Sequence, residues 1–138
     1  MKRRSLHSLA RLMIEESGAT AVEFALVSIA FITFVFGIAY SAIMLHSHTA
    51  LQWAVETTVR RAAIEPNVTQ TDLQTDVNAL LTSSHMPNAT ISYSVAAVGT
   101  VNVATLTATF TRTYTIPFVA TFNTTFSATS STPQNDAS

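Results

Sequence analysis

In ESGATAVEF, Glu16 to Phe24, two residues are spaced for a reaction that splits the chain and uses what the split leaves behind. Gly18 precedes a peptide bond that carries no side chain on its amino-terminal side, and an enzyme can bind such a bond in extended form. Cleavage after Gly18 would leave a protonated amine on Ala19. Glu23 stands four residues further on, one helical turn away. Its carboxylate would pair with that amine within the chain, or reach the amine of a neighbouring chain and set the stagger between two helices. Charges near a bilayer are poorly screened by water, which strengthens either pairing. A simpler role is also open to Glu23, since an acid in the first turn of a helix complements the positive end of the helix dipole.

The element that must carry these residues is a long helix. From Phe24 to Leu45 the run FALVSIAFITFVFGIAYSAIML holds no charge, and as a helix it would reach roughly 33 Å, enough to span a bilayer's hydrocarbon core. Lys2, Arg3, Arg4 and Arg11 precede the run, and the next basic residues, Arg60 and Arg61, lie well beyond it, so the N-terminus is expected on the cytoplasmic side. Ser28, Thr33, Gly37 and Ser41 suit either close packing on other helices or a plain anchor. Ala39-Tyr40-Ser41 has the small-x-small form of a signal peptidase site, which would release a soluble product beginning at Ala42. Against that reading stand Glu15, Glu16 and Glu23 before the run, and the passage of the run through Ser41 to Leu45 without a break.

A basic leader, Gly18, then Glu23 and Phe24 followed by an apolar helix, resembles the class III signal of type IV pilins, in the G-x-x-x-x-E-[FY] form of the tight-adherence (Tad, or Flp) system. Gly18-Ala19-Thr20-Ala21-Val22-Glu23-Phe24-Ala25-Leu26 is similar to the opening of the TadE-like minor pilins, or pseudopilins. Ala50-Leu51-Gln52-Trp53-Ala54-Val55-Glu56 and Arg60-Arg61-Ala62-Ala63 resemble the stretch that follows their spanning helix. Ser28-Ile29-Ala30 departs from the Pro or further branched residues that those proteins often show. The resemblance implies a processing site at Gly18 and Ala19 cut by a prepilin peptidase, an inner-membrane aspartic protease. It makes Glu23 the assembly carboxylate and Phe24 its aromatic neighbour. The implied partners are that peptidase, the major and minor Tad pilins, the inner-membrane assembly platform and membrane lipid. The implied location is the bacterial inner membrane, single-pass, with a periplasmic C-terminal domain that can pass into an extracellular adhesive pilus.

Beyond the run no Gly or Pro interrupts the chain between Ile38 and Glu65, so the helix is expected to continue to Pro66. Leu51, Val55, Val59 and Ala62 give it an apolar stripe with Trp53 to one side, and Glu56 and Arg60 are spaced for an i,i+4 pair. Arg60 and Arg61 read as a solvated face. A second helix is expected over Thr69–Ser83, capped through Thr69 and Asp72, with Leu73, Val77, Leu80 and Leu81 on one face. Ile91, Tyr93 and Val95 alternate with serines, Gly99 marks a turn, and TLTATFTRTYTI alternates Thr with apolar residues, giving two or three antiparallel strands with a wet Thr face. Arg112 falls on the inward side of that pattern, where it would lie at the sheet's edge or meet an acid of the helical part. The fold class is therefore α+β: leader 1–18, long helix 19–65 spanning at about 24–45, exported domain 66–128, and a disordered tail 129–138. Phe118, Phe122 and Phe126 would pack on the sheet or form a final helix face.

No enzyme constellation emerges: neither a phosphate-cradling glycine loop, nor G-x-S-x-G, nor paired acids in the exported part. No cofactor, catalytic residue or metal site is expected. His46 and His48 lie two apart, on different helix faces, and suit the headgroup boundary better than a metal. The sequence has no cysteine, and a net charge of −1 argues against a nucleic-acid partner. Asn67, Asn88 and Asn123 head glycosylation sequons of no evident use in a chain of this kind. Two alternatives stay beside the pilin reading. One is a type II secretion pseudopilin, which would normally bring a calcium- or disulfide-stabilised outer domain. The other is a secreted binding module cleaved after Ser41.

Overall fold

Nothing between Ser5 and Ile64 forbids a helix. The nearest proline is Pro66, and SLARLMIEE, ahead of Gly18, consists largely of strong helix formers. The computed structural model describes residues 5–65, 67–116 and 120–134, with side chains from Gly18 onward, and shows one helix, α1 (Ser5–Ile64), 60 residues long. Gly18, expected to open the helix, lies inside it. A lone glycine costs about 1 kcal/mol relative to alanine, too little to end a helix that both flanks favour. The chain divides into two units, Met1–Ala39 and Tyr40–Ser138.

In the first unit the described side chains face outward around the helix, Phe24 being 74% and Phe34 67% exposed. A helix that is apolar all round and uncovered by its own chain needs lipid or other helices as its surroundings. Among the described residues α1 holds the one stretch long and apolar enough to cross a membrane. Thr33 turns its hydroxyl onto the backbone, Oγ1 donating to Ile29 O at 2.8 Å.

In the second unit α1 acquires a buried face. Leu51, Ala54, Val55, Val59 and Ala62 are no more than 2% exposed, at the expected spacings, with Trp53 half exposed beside them. The second helix, α2 (Gln70–Ser83), starts at the expected cap. Thr69 Oγ1 accepts from Asp72 N at 3.2 Å, and Asp72 Oδ2 accepts from the Thr69 hydroxyl at 2.7 Å and from Thr69 N at 3.0 Å. Those two bonds, the hydroxyl first, hold the Asp72 pKa below the ordinary carboxylate value. At the other end His85 takes φ 58°, His85 N donates to Thr82 O and Met86 N to Leu81 O, the Schellman arrangement with a non-glycine in the left-handed position. Leu73, Val77 and Leu81 are buried and Leu80 packs at the margin.

Arg61 joins the two helices, its Nε on Glu65 at 2.9 Å and its Nη1 on Asp76 at 2.6 Å. Hydrogen bonds to Asp76 and then Glu65 push the guanidinium pKa further up. Arg61 is exposed, as expected, and also ties the two helices together. The Glu56–Arg60 pair is not the contact formed, since Glu56 accepts from Gln52 Nε2 at 3.2 Å. Exposed i,i+4 partners differ by only tenths of a kcal/mol, so spacing alone does not select one.

The sheet has the order β1-β2-β3, all antiparallel, from β1 (Thr90–Val98), β2 (Val101–Ile116) and β3 (Ala120–Pro133). Gly99, at φ 65°, begins the two-residue β1–β2 turn that pairs Val98 with Val101. Ala104, Leu106, Ala108, Phe110 and Tyr114 of β2 are buried on the inner face, and Phe126 of β3 packs on Phe110 with ring centroids 5.2 Å apart. On the outer face Thr105, Thr107, Thr109 and Thr111 meet Ser131, Thr129, Ser127 and Thr125 hydroxyl to hydroxyl, at 2.9 to 3.2 Å. The wet Thr face is therefore a cross-strand ladder.

The tail reading is corrected by β3. Residues 129–133, expected to be disordered, extend the strand because serine and threonine there complete the ladder against β2. Gln134 goes further. Its backbone donates to Asn102 O, and its side chain donates to Ala62 O at 3.0 Å, serving a carbonyl left unpaired at the end of α1. Phe122 and Phe126 lie in β3 rather than on a helix, while Phe118 and residues 135–138 fall outside the described residues. The first strand is held at its outer edge by α2. Gln74 donates to Ala89 O at 2.5 Å and accepts from Ile91 N at 3.1 Å, and Asn78 Oδ1 accepts from Ala89 N at 2.9 Å.

Candidate functional site: the Gly18–Phe24 segment

All four residues singled out by sequence, Gly18, Ala19, Glu23 and Phe24, lie on α1 and are exposed. Ala19 and Glu23 share a face one turn apart, as their spacing requires. Glu23 forms no ion pair with a described residue. It does not sit in the first turn of α1, which holds no acid because the helix begins at Ser5. The dipole role considered for Glu23 therefore does not apply to the uncut helix; it would return only if the chain began near Ala19.

Gly18 is not required by the fold. A Cβ built on it meets nothing within 4 Å, and its φ is not in the left-handed region. Alanine would be about 1 kcal/mol better in a helix interior, so the fold itself gives no reason for the glycine. A glycine in a helix lowers the cost of opening the backbone locally into an extended form.

A second polar cluster was only half legible. Arg112 is half-buried on the inner face of β2, as the alternation implied, yet no described carboxylate reaches it. It donates to Ser47 Oγ at 3.4 Å and Met86 Sδ at 3.5 Å, and lies 5.7 Å from the centre of the Tyr114 ring. Neither of the two placements expected for Arg112 holds among the described residues, since β2 is the central strand and no described acid of the helical part meets it. Ser47, fully buried, also donates to Ile43 O at 2.9 Å. No sequence signal joins residues 47, 86 and 112, because only the sheet's packing on α1 brings them together. His46 and His48 are exposed, and no group of three or more His, Cys, Asp or Glu among the described residues is placed to hold a metal ion.

One apolar, uncovered helix that continues into a small α+β domain defines a pilin-like architecture compatible with single-pass anchoring. The family model described as TadE-like protein matches residues 18–60, and over that stretch the chain is similar to that family. The match begins on Gly18 and includes Glu23 and Phe24. No curated protein and no solved structure matches the chain.

Proposed function

We propose that this chain is a minor pilin of a Tad pilus, cut after Gly18 by a prepilin peptidase and then used, without catalysis of its own, in assembling the fibre. The observation that carries the reading is the coincidence at Gly18. The TadE-like match starts on a glycine that the helix does not need, five residues ahead of a carboxylate that forms no ion pair with a described residue. Removal of the leader would leave α1 beginning at Ala19, with its amine one turn from Glu23 and an uncovered apolar surface ready to bundle with the helices of other pilins. The N-terminus would then have faced the cytoplasm before cleavage, with the Tyr40–Ser138 unit on the periplasmic side of the inner membrane.

The alternative cut after Ser41 fares less well on physical grounds. It would remove Tyr40, whose hydroxyl donates to Thr115 O and whose ring meets Tyr114 edge-on with centroids 5.9 Å apart. Intact mass and terminal sequencing of the membrane-purified protein decide between the two. A mature start at Ala19 is expected, with Gly18→Ile accumulating at full length because a branched side chain blocks the peptidase subsite. A start at Ala42, or an unchanged mature mass in Gly18→Ile, would overturn the proposal.

A further inference from the structure

The strand ends of the β2–β3 hairpin lie beside a part of α1 that belongs to the apolar run. Tyr40 is inside the uncharged stretch Phe24–Leu45, and it is bonded to Thr115 O and packed on Tyr114, which in turn stacks on Phe122 of β3 at 5.7 Å. Along β2, rising residue number follows falling number on α1: Arg112 meets Ser47, and Thr115 meets Tyr40. Ile116 and Ala120, the last and first residues of the two strands and paired with each other, therefore lie close to the level of Tyr40. Between Arg112 and Asp136 the sequence carries no charge. If about 20 residues of α1 fill the hydrocarbon from Phe24 onward, the outer boundary falls between Tyr40 and Leu45.

Arg112 is the second, independent observation. Ser47, which it touches, is seven residues past Tyr40, roughly 10 Å along the helix, and so at the depth of the headgroups. A half-buried guanidinium with no described carboxylate, over the ring of Tyr114, which itself packs on Tyr40, has the composition of a membrane interface: tyrosine at the boundary and arginine just outside it, where phosphates lie.

We propose that the Ile116/Ala120 end of the β2–β3 hairpin rests in the outer interfacial layer of the bilayer, with Arg112 toward lipid phosphates. The domain would thus hold the membrane at two points, α1 and the hairpin. Leaving the membrane for a fibre would require the hairpin to give up lipid for a neighbouring subunit. The inference rests on the reading that α1 spans the membrane, and the test separates the two.

The chain has no cysteine, so Ile32→Cys, Ala120→Cys and Thr100→Cys each place one environment-sensitive fluorophore on the full chain, reconstituted in phosphatidylcholine–phosphatidylglycerol vesicles. Nitroxide lipids labelled deep or shallow, and aqueous iodide, report depth. The label at 32 is expected to be quenched by deep nitroxide. The label at 120 should be blue-shifted and quenched by shallow nitroxide, and the label at 100, in the β1–β2 turn at the other end of the sheet, by iodide alone. Arg112→Gln should shift the label at 120 toward the iodide-quenched pattern. A label at 32 in lipid with the label at 120 behaving like that at 100 overturns the hairpin contact and leaves the anchor standing; a label at 32 in water overturns both. An unchanged label at 120 in Arg112→Gln would remove the arginine from the contact.

Discussion

The Thr69–Asp72 box ties a local motif to a measurable pH response. In the folded protein the Asp72 pKa is lowered, chiefly by the Thr69 hydroxyl and then by the Thr69 backbone N–H. A depressed native pKa means that the unfolded chain binds the proton more readily. The cap's contribution is therefore full above the ordinary aspartate value of about 3.9 and is lost as pH falls through it toward the lower native value. Circular-dichroism melts of the detergent-solubilised chain between about pH 5 and 2 should show this loss in the wild type. In Asp72→Asn that part of the pH dependence should be gone, and a variant that tracks the wild type would show the box to be idle. Thr69→Ala should cost about 1 kcal/mol at neutral pH, the usual worth of an N-cap side chain. Sequence alone located both partners here because the motif is local. It missed Gln134 on Ala62 and Arg112 on Ser47, because those contacts join residues far apart along the chain and depend on the packing of α1 against the sheet.

At the scale of elements, the two faces of β2 obey different rules. Its inner face alternates small and large residues, Ala104 and Ala108 with Leu106 and Phe110, all buried, opposite a helix face that itself carries Ala54 and Ala62. Fully buried alanines on both sides leave no room for added methylenes, whereas the outer face is an exposed hydroxyl ladder with solvent beside it. Ala108→Leu should therefore destabilise by about 1–3 kcal/mol through overpacking. Thr107→Val, which removes one exposed hydroxyl bond to Thr129, should stay within about 0.5 kcal/mol of the wild type. Denaturant unfolding of both variants in mild micelles checks the contrast, and equal losses would mean that the ladder contributes as much as the core. This two-faced pattern was readable in TLTATFTRTYTI, because strand periodicity is written residue by residue. The third strand was not. Phe122 and Phe126 left packing on the sheet and a helix face both open, residues 129–133 read as part of a disordered tail, and the segment becomes a strand because β2 offers a matching row of hydroxyls and an open edge.

For the whole molecule, the question is why a carboxylate stands where α1 turns apolar. The helix was legible from its run of uncharged residues, but its start was not: α1 begins at Ser5 and carries Glu23 about five turns inside. In that uncut helix Glu23 has neither a helix end to complement nor a described cation to pair with, and an acid near hydrocarbon costs up to about 2.5–3.5 kcal/mol, less toward the ends of the span. Cutting after Gly18 would change its surroundings in one step. It would create a positive amine on Ala19 and place the positive end of the dipole within a turn of the carboxylate, so that both offset that cost. In a bundle of such subunits the same carboxylate would also be available to a neighbour's amine. The expected outcome is that Glu23→Ala and the near-isosteric Glu23→Gln are both processed to a start at Ala19, since cleavage precedes the pairing, yet both fail to support piliation when fibres are counted by electron microscopy. A processed Glu23→Gln that piliates normally would show that the charge has no role in assembly. An unprocessed Glu23→Gln would move the carboxylate from assembly to recognition by the peptidase.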